Sequence, residues 1–177
     1  IGKIKQCRNS IKSERALSYA SQQNLPKDQL AVAVVVQEMI ASEVSGVIFT
    51  INPITNDRNE IMIEAGLGLG EMIVQGMITP NNFILDKKTL EIKSRDIQVQ
   101  DKMLVFKDGK NTKISIPENK KNKQVISDNL IKKLGEIAIK IENHYQVPQD
   151  IEWAIDKAEK IWILQSRSVT TMQHISL

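Results

Sequence analysis

Apolar and polar side chains alternate with a period of two over residues 150–155 and again over 161–167, and the polar stretch 156–160 separates the two runs. That period marks half-buried strands, so the pair reads as a β-hairpin. With Ala158 and Glu159 at the tip, Glu152 falls opposite Gln165 and Asp150 opposite Arg167. These four polar residues then share one face, while Ile151, Trp153, Ile155, Trp162 and Leu164 fill the other. A four-residue loop over 157–160 keeps this register, whereas an odd-length loop or a bulge shifts it by one.

The same reading extends along the chain. Residues 10–23, with Ile11, Leu17 and Ala20 among polar neighbours, predict a short helix ending before Pro26. Residues 30–39 are dense in valine, with Val32, Val34 and Val36 on one face, and predict a central strand covered on both sides. Two further strands are expected at 46–51 and 61–65, joined through Asn52-Pro53 and Asn56-Asp57. After glycines 66, 68 and 70 and the short run 71–75, the segments 83–86, 90–93, 103–106 and 113–116 predict an antiparallel meander. Ser127 is placed to cap a helix reaching about His144, with Leu130, Ile131, Leu134, Ile137, Ala138, Ile141 and Tyr145 along one stripe. The expected class is α+β, a largely antiparallel sheet with a long helix packed on it.

Composition narrows the partners. The chain has 177 residues, 41% of them hydrophobic, enough for one domain with a core. No apolar run approaches a membrane span, and the first residues lack the pattern of a secretory signal. The single cysteine, Cys7, cannot form an internal disulfide; it points to a reducing cytoplasm and reads as a structural thiol. Net charge is +3, and residues 87–123 hold 11 Lys and Arg against 5 Asp and Glu. That stretch has one aromatic residue, Phe106, and no nucleic-acid module, so a solvated lysine-rich face is expected rather than a nucleic-acid surface. Because the chain opens on Ile1 and its first patterned block follows at once, it is expected to be an excised segment of a larger protein.

The hairpin carries the candidate chemistry. A carboxylate beside a side-chain amide offers hard oxygen ligands to Mg²⁺, and an adjacent guanidinium can hold phosphate oxygens through two charge-assisted bonds. An ordinary cross-strand ion pair between Asp150 and Arg167, with Glu152 and Gln165 merely solvated, accounts for the pattern equally well. Glycines 66, 68 and 70 match neither phosphate-loop fingerprint, since Glu71 stands at the last glycine position and no Gly-Lys-Ser/Thr follows. His144, in the last helical turn, suits the helix dipole better than catalysis.

Gln149-Asp150-Ile151-Glu152-Trp153-Ala154 followed by Leu164-Gln165-Ser166-Arg167 resembles the end of the nucleotide-binding domain of phosphoenolpyruvate synthases, pyruvate phosphate dikinases and rifampicin phosphotransferases. Val34-Val35-Val36-Gln37-Glu38-Met39, Ser45-Gly46-Val47-Ile48-Phe49-Thr50 with Asn52-Pro53, and Gly68-Leu69-Gly70-Glu71 resemble further blocks of that family in the same order. The resemblance implies that residues 1–177 are the C-terminal part of an ATP-grasp domain using ATP and Mg²⁺. It implies Glu152 and Gln165 as metal ligands, Arg167 and Glu152 as catalytic groups, and Asp150 as a supporting residue. Gln37, Glu38 and Met39 would hold the adenine. The implied partners are the N-terminal half of the ATP-grasp domain, a phosphohistidine carrier domain, and a small acceptor, pyruvate or a rifamycin. Neither His144 nor His174 has the carrier's Gly-rich context. Among these families phosphoenolpyruvate synthase is the leading expectation, rifampicin phosphotransferase the alternative, and a non-catalytic binding or scaffold module the alternative of another class. Arg8 stands where an aromatic residue is expected, Asn56 where a glycine is common and Leu67 where Trp is frequent.

Overall fold

The computed structural model describes residues 2–22 and 30–169, in a chain that divides into two units, Ile1–Met39 and Ile40–Leu177. Pro26 and His174 lie outside the described residues.

In the first unit, helix α1 (Gly2–Asn9) runs into a 3-10 turn at Ser10–Lys12, and α2 (Glu14–Gln22) follows. The single helix expected over 10–23 is therefore divided at Ser13. The cause is local: Ser13 is extended at φ −68° and ψ 149°, and its Oγ accepts a hydrogen bond from the Ala16 N–H at 3.3 Å, so it starts a new helix as an N-cap. Cys7 is exposed on α1, which corrects its reading as a structural thiol. Residues 30–40 form no strand. Strand propensity expresses how a side chain fits a pleated, half-covered surface, and no ladder forms along this run among the described residues. Val35 and Val36 are instead 82% and 80% exposed.

The second unit is built on a six-stranded sheet. Its strands are β1 (Ser42–Phe49), β2 (Glu60–Leu67), β3 (Asn81–Asp86), β4 (Ile92–Asp96), β7 (Gln149–Asp156) and β8 (Ile161–Ser168), in the order β4-β3-β2-β1-β7-β8, every neighbouring pair antiparallel. The four short strands of the expected meander part company. β3 and β4 join this sheet, while β5 (Lys102–Lys107) and β6 (Lys110–Ser115) form a hairpin of their own. Asp108 and Gly109 turn it with φ of 51° and 76°, the paired left-handed conformation that a tight hairpin turn needs. Asn56, where the family commonly has glycine, is left-handed at φ 59°. Asn therefore meets the same backbone demand.

One face of the sheet is the core. Helix α4 (Asp128–Tyr145) buries Leu130, Ile131, Leu134 and Ala138 against Ile48, Ile61, Ile63, Phe83, Leu85, Ile151 and Trp153. Its first turn is closed as expected, Ser127 Oγ accepting from the Leu130 N–H at 3.4 Å, a contact of the kind worth about 1 kcal/mol. Its last turn ends at a left-handed Gln146, φ 60°. Trp153 packs so close to β1 that a Cβ at Gly46 would fall 2.7 Å from its Cζ2 and 1.8 Å from the Glu64 carbonyl oxygen, so only glycine is accommodated there. Short α3 (Glu71–Val74) lies after β2 and buries Met72 and Ile73. No helix among the described residues is long and apolar enough to cross a membrane.

Candidate functional site

The β7–β8 hairpin sets the geometry of the site. Glu152 pairs with Gln165 and Asp150 with Arg167, the register expected from the sequence, although it arises differently. The tip is a three-residue loop, 157–159, closed by the Asp156 N–H donating to the Lys160 carbonyl at 3.2 Å, with Glu159 left-handed at φ 57°. An odd loop displaces the register by one: Ile155 pairs with Ile161, Ala154 with Trp162 and Trp153 with Ile163. A bulge between Glu152 and Trp153, with Leu164 as the additional residue on β8, displaces it back. Two single-residue offsets cancel, so the pairs nearest Arg167 stand where a two- or four-residue loop would have put them.

The faces follow from this register. Ile151, Trp153 and Ile155 are buried on the α4 side, as expected. Trp162 is not on that side. Opposite Ala154 it shares the face of Asp150, Glu152, Gln165 and Arg167, because the bulge interrupts the alternation between Trp162 and Gln165. Its Nε1 donates to Asp156 Oδ2 at 2.8 Å. That contact, with backbone N–H groups of Lys160 and Ala158, holds the Asp156 carboxyl below its ordinary range.

At the other end of the hairpin, Asp150 Oδ2 accepts a hydrogen bond from Arg167 Nε (2.9 Å) and forms an ion pair with its Nη2 (2.7 Å). The Asp150 side chain is 12% exposed and that of Arg167 67%. A largely covered carboxylate thus grips one edge of an exposed guanidinium. The sequence left open a simple ion pair or a ligand site, and the ion pair is present. It leaves Nη1 outside the contact, so it does not exclude an anion. Beneath it, Ser166 Oγ donates to Gln149 Oε1 at 2.8 Å, and Gln149 exchanges hydrogen bonds with Thr50, through its N–H to Thr50 Oγ1 (2.8 Å) and its carbonyl from the Thr50 N–H (3.0 Å). Ser166 lies between Gln165 and Arg167 in the chain, so this anchor fixes the strand that presents both.

Sequence reasoning missed Glu64. The register runs Gln165, Glu152, Val47, Glu64 across four strands, which places Glu64 on the site face. Burial first, and then the charge of Asp150, push its carboxyl above the ordinary range. A lone carboxylate in the apolar run Ile61-Met62-Ile63-Glu64-Ala65 was the available signal. Of the other expected site residues, Gln37, Glu38 and Met39 close the first unit in a stretch without a ladder, Met39 55% exposed.

A carboxylate, a side-chain amide and a half-engaged guanidinium on one face of a hairpin form a donor set suited to a metal-bound phosphate. No group of three or more His, Cys, Asp or Glu residues able to hold a metal occurs among the described residues. That is compatible with Mg²⁺, which takes one or two protein carboxylates and fills its remaining positions with water and substrate phosphates. The class defined by fold and site is therefore an α+β domain that presents one polar sheet face with donors of this kind.

The family comparison agrees. The model of the pyruvate phosphate dikinase AMP/ATP-binding domain matches residues 1–176, and the chain belongs to that family. It is 41% identical over 171 residues to a probable phosphoenolpyruvate synthase of Methanocaldococcus jannaschii, covering 96% of this chain and 14% of that protein. It is 41% identical over 181 residues to the phosphoenolpyruvate synthase of Pyrococcus furiosus, covering 98% of the chain and 22% of that protein. To the phosphoenolpyruvate synthase of Aeropyrum pernix it is 38% identical over 199 residues, covering 96% and 24%. The chain thus spans about a seventh to a quarter of the length of these relatives.

Proposed function

We propose that this chain is the ATP-binding part of a cytoplasmic dikinase-type phosphotransferase, phosphoenolpyruvate synthase, in which the β-phosphoryl group of ATP passes to a histidine on another domain and from there to pyruvate. The observation that carries this reading is the pairing of Glu152 with Gln165 and of Asp150 with Arg167 on one hairpin face, within a chain of the AMP/ATP-binding family. The names of the relatives favour the synthase over the rifampicin phosphotransferase.

In the ATP-grasp arrangement implied by the resemblance, residues 30–39 belong to a sheet completed by the N-terminal half of the domain, and Gln37, Glu38 and Met39 meet the adenine. Glu152 and Gln165 would hold Mg²⁺, which supplies charge neutralisation to the phosphates. Arg167 binds a phosphate oxygen through the donors that Asp150 leaves free. Asp150 orients that guanidinium, and the Ser166–Gln149–Thr50 anchor keeps the strand from yielding. Such pre-set donors act without reorganising as charge develops.

The test is AMP formation by the full-length protein at saturating Mg²⁺, alongside its thermal midpoint. Glu152→Ala and Gln165→Ala are expected to lower turnover by about a hundredfold, the scale of losing one pre-organised contact, with the midpoint nearly unchanged. Arg167→Lys keeps the charge, loses the planar fork, and is also expected to be harmful. Wild-type turnover in both alanine variants removes Glu152 and Gln165 from the mechanism. The 177-residue chain alone is expected to form no AMP.

A further inference from the structure

The site face changes character along the hairpin. Arg167 stands opposite Asp150, Gln165 opposite Glu152 two ladder positions on, and Trp162 opposite Ala154 two positions further. A strand advances about 3.3 Å per residue, so Trp162 lies roughly 7 Å from the level of Gln165 and roughly 13 Å from that of Arg167. The polar pairs thus end at an aromatic side chain, half-buried, that the three-residue loop sets opposite Ala154, on the tip side of the bulge at Leu164.

The indole is held in place. Asp156 takes its Nε1–H, and Lys160 Nζ lies 3.6 Å from the ring centroid. Both partners belong to the hairpin tip, and the Lys160 ammonium lies over one face of the ring. The residue opposite it, Ala154, is small and 1% exposed. A ring held by two charged neighbours at one end of a phosphate-binding face is pre-organised for an apolar, planar ligand group.

We propose that Trp162 is the nucleoside-facing wall of this site, packing against the base and ribose of a nucleotide whose phosphates lie toward Arg167. The proposal rests on the nucleotide reading above and adds the direction in which the ligand lies along the hairpin, with a residue that distinguishes a nucleotide from bare polyphosphate.

The test compares binding of MgATP and of magnesium tripolyphosphate, by calorimetry, to the full-length protein and its Trp162→Ala and Trp162→Phe variants. Stacking on an aromatic side chain is worth about tenfold in affinity or more per base. Trp162→Ala is expected to weaken MgATP by about that factor and leave tripolyphosphate unchanged, and Trp162→Phe to retain most of the MgATP affinity at an unaltered thermal midpoint. Unchanged MgATP affinity in Trp162→Ala, or an equal loss for both ligands, overturns the proposal while leaving the phosphate site standing. A wild-type protein that binds tripolyphosphate no more weakly than MgATP also overturns it. Binding of neither ligand by the wild type overturns the nucleotide reading itself.

Discussion

Residues 30–39 and the β7–β8 hairpin both carry strand-forming sequence, and they end in different states. The hairpin supplies its own partner: a three-residue loop folds β8 back onto β7, and β7 also pairs with β1. Residues 30–39 are followed by no such return, and no ladder forms along them among the described residues, with Val35 and Val36 open to solvent. Alternation of side chains says which face of a strand is buried. It does not say which strand lies alongside, and the ladder supplies the hydrogen bonds that make a strand.

The largest break in that comparison is expected from Trp153, fully buried between β1 and α4. Trp153→Ala opens a cavity under the hairpin and is expected to cost about 3–5 kcal/mol, read as a fall in the denaturant midpoint of unfolding. Trp153→Phe is expected to cost far less, because the indole Nε1 finds no acceptor among the described residues and its removal forfeits no bond. A Phe variant as damaged as the Ala variant means that the indole has a partner in solution.

The next test concerns register. Deleting Leu164 removes the additional residue of the bulge and leaves Gln165 opposite Glu152 and Arg167 opposite Asp150. Deleting Ser166 instead carries Arg167 onto the α4 face, or, if the bulge is drawn out, carries Gln165 there; both site pairs cannot survive. In the full-length protein, MgATP affinity is expected to stay within about threefold for the first deletion and to fall by at least about tenfold for the second, which loses a charge-assisted contact. Equal effects of the two deletions show that the paired face is not what binds the ligand.

Much of this was legible in the chain. The hairpin, its buried Ile151, Trp153 and Ile155, the capped helix and the strands around Asn56 follow from alternation, helical spacing and turn chemistry. The site pairs were legible too, but through two unseen features that cancel, an odd loop at Glu159 and a bulge at Leu164. Neither carries a strong signal, since glutamate at a left-handed position and leucine at a bulge are not residues that demand those geometries. Trp162 was assigned to the wrong face for that reason. Glu64 escaped because its neighbours across the sheet come from distant segments, and only the register of β1 with β2 and β7 places it beside the site.

Glu64 offers a smaller test, of whether the site face is held under electrostatic strain that residues 30–39 do not bear. Burial and the Asp150 charge raise its folded pKa above the unfolded value, so between those values the folded protein retains a proton that the unfolded chain has released. Its contribution to stability therefore falls as pH rises through that window and remains unfavourable above it. Glu64→Gln, which has no charge to lose, is expected to raise the thermal midpoint at pH 7. The gain should vanish below the unfolded carboxyl value of about 4.3. A gain that is the same at pH 4 and pH 7 assigns the effect to packing instead.

The smallest effect is expected where the comparison is sharpest. Val35 and Val36 are consecutive, so in an extended chain they point to opposite faces, and both are open here. Val35→Lys in the 177-residue chain replaces one exposed side chain by another and is expected to change stability by no more than about 0.5 kcal/mol. In the full-length protein the proposed pairing of residues 30–39 buries the segment in a sheet, and an unpaired ammonium there is expected to cost about 3 kcal/mol or more. Ile151→Lys is the control, destabilising in both contexts because Ile151 is already fully buried under α4. The measurement is denaturant unfolding of each variant in the short and full-length proteins. If Val35→Lys is neutral in both, residues 30–39 are not completed by the rest of the protein, and their valines need another explanation. If it is neutral in the short chain and costly in the full-length protein, the two stretches differ only in where the partner strand comes from: for the hairpin, the next few residues of the chain; for residues 30–39, sequence outside these 177 residues.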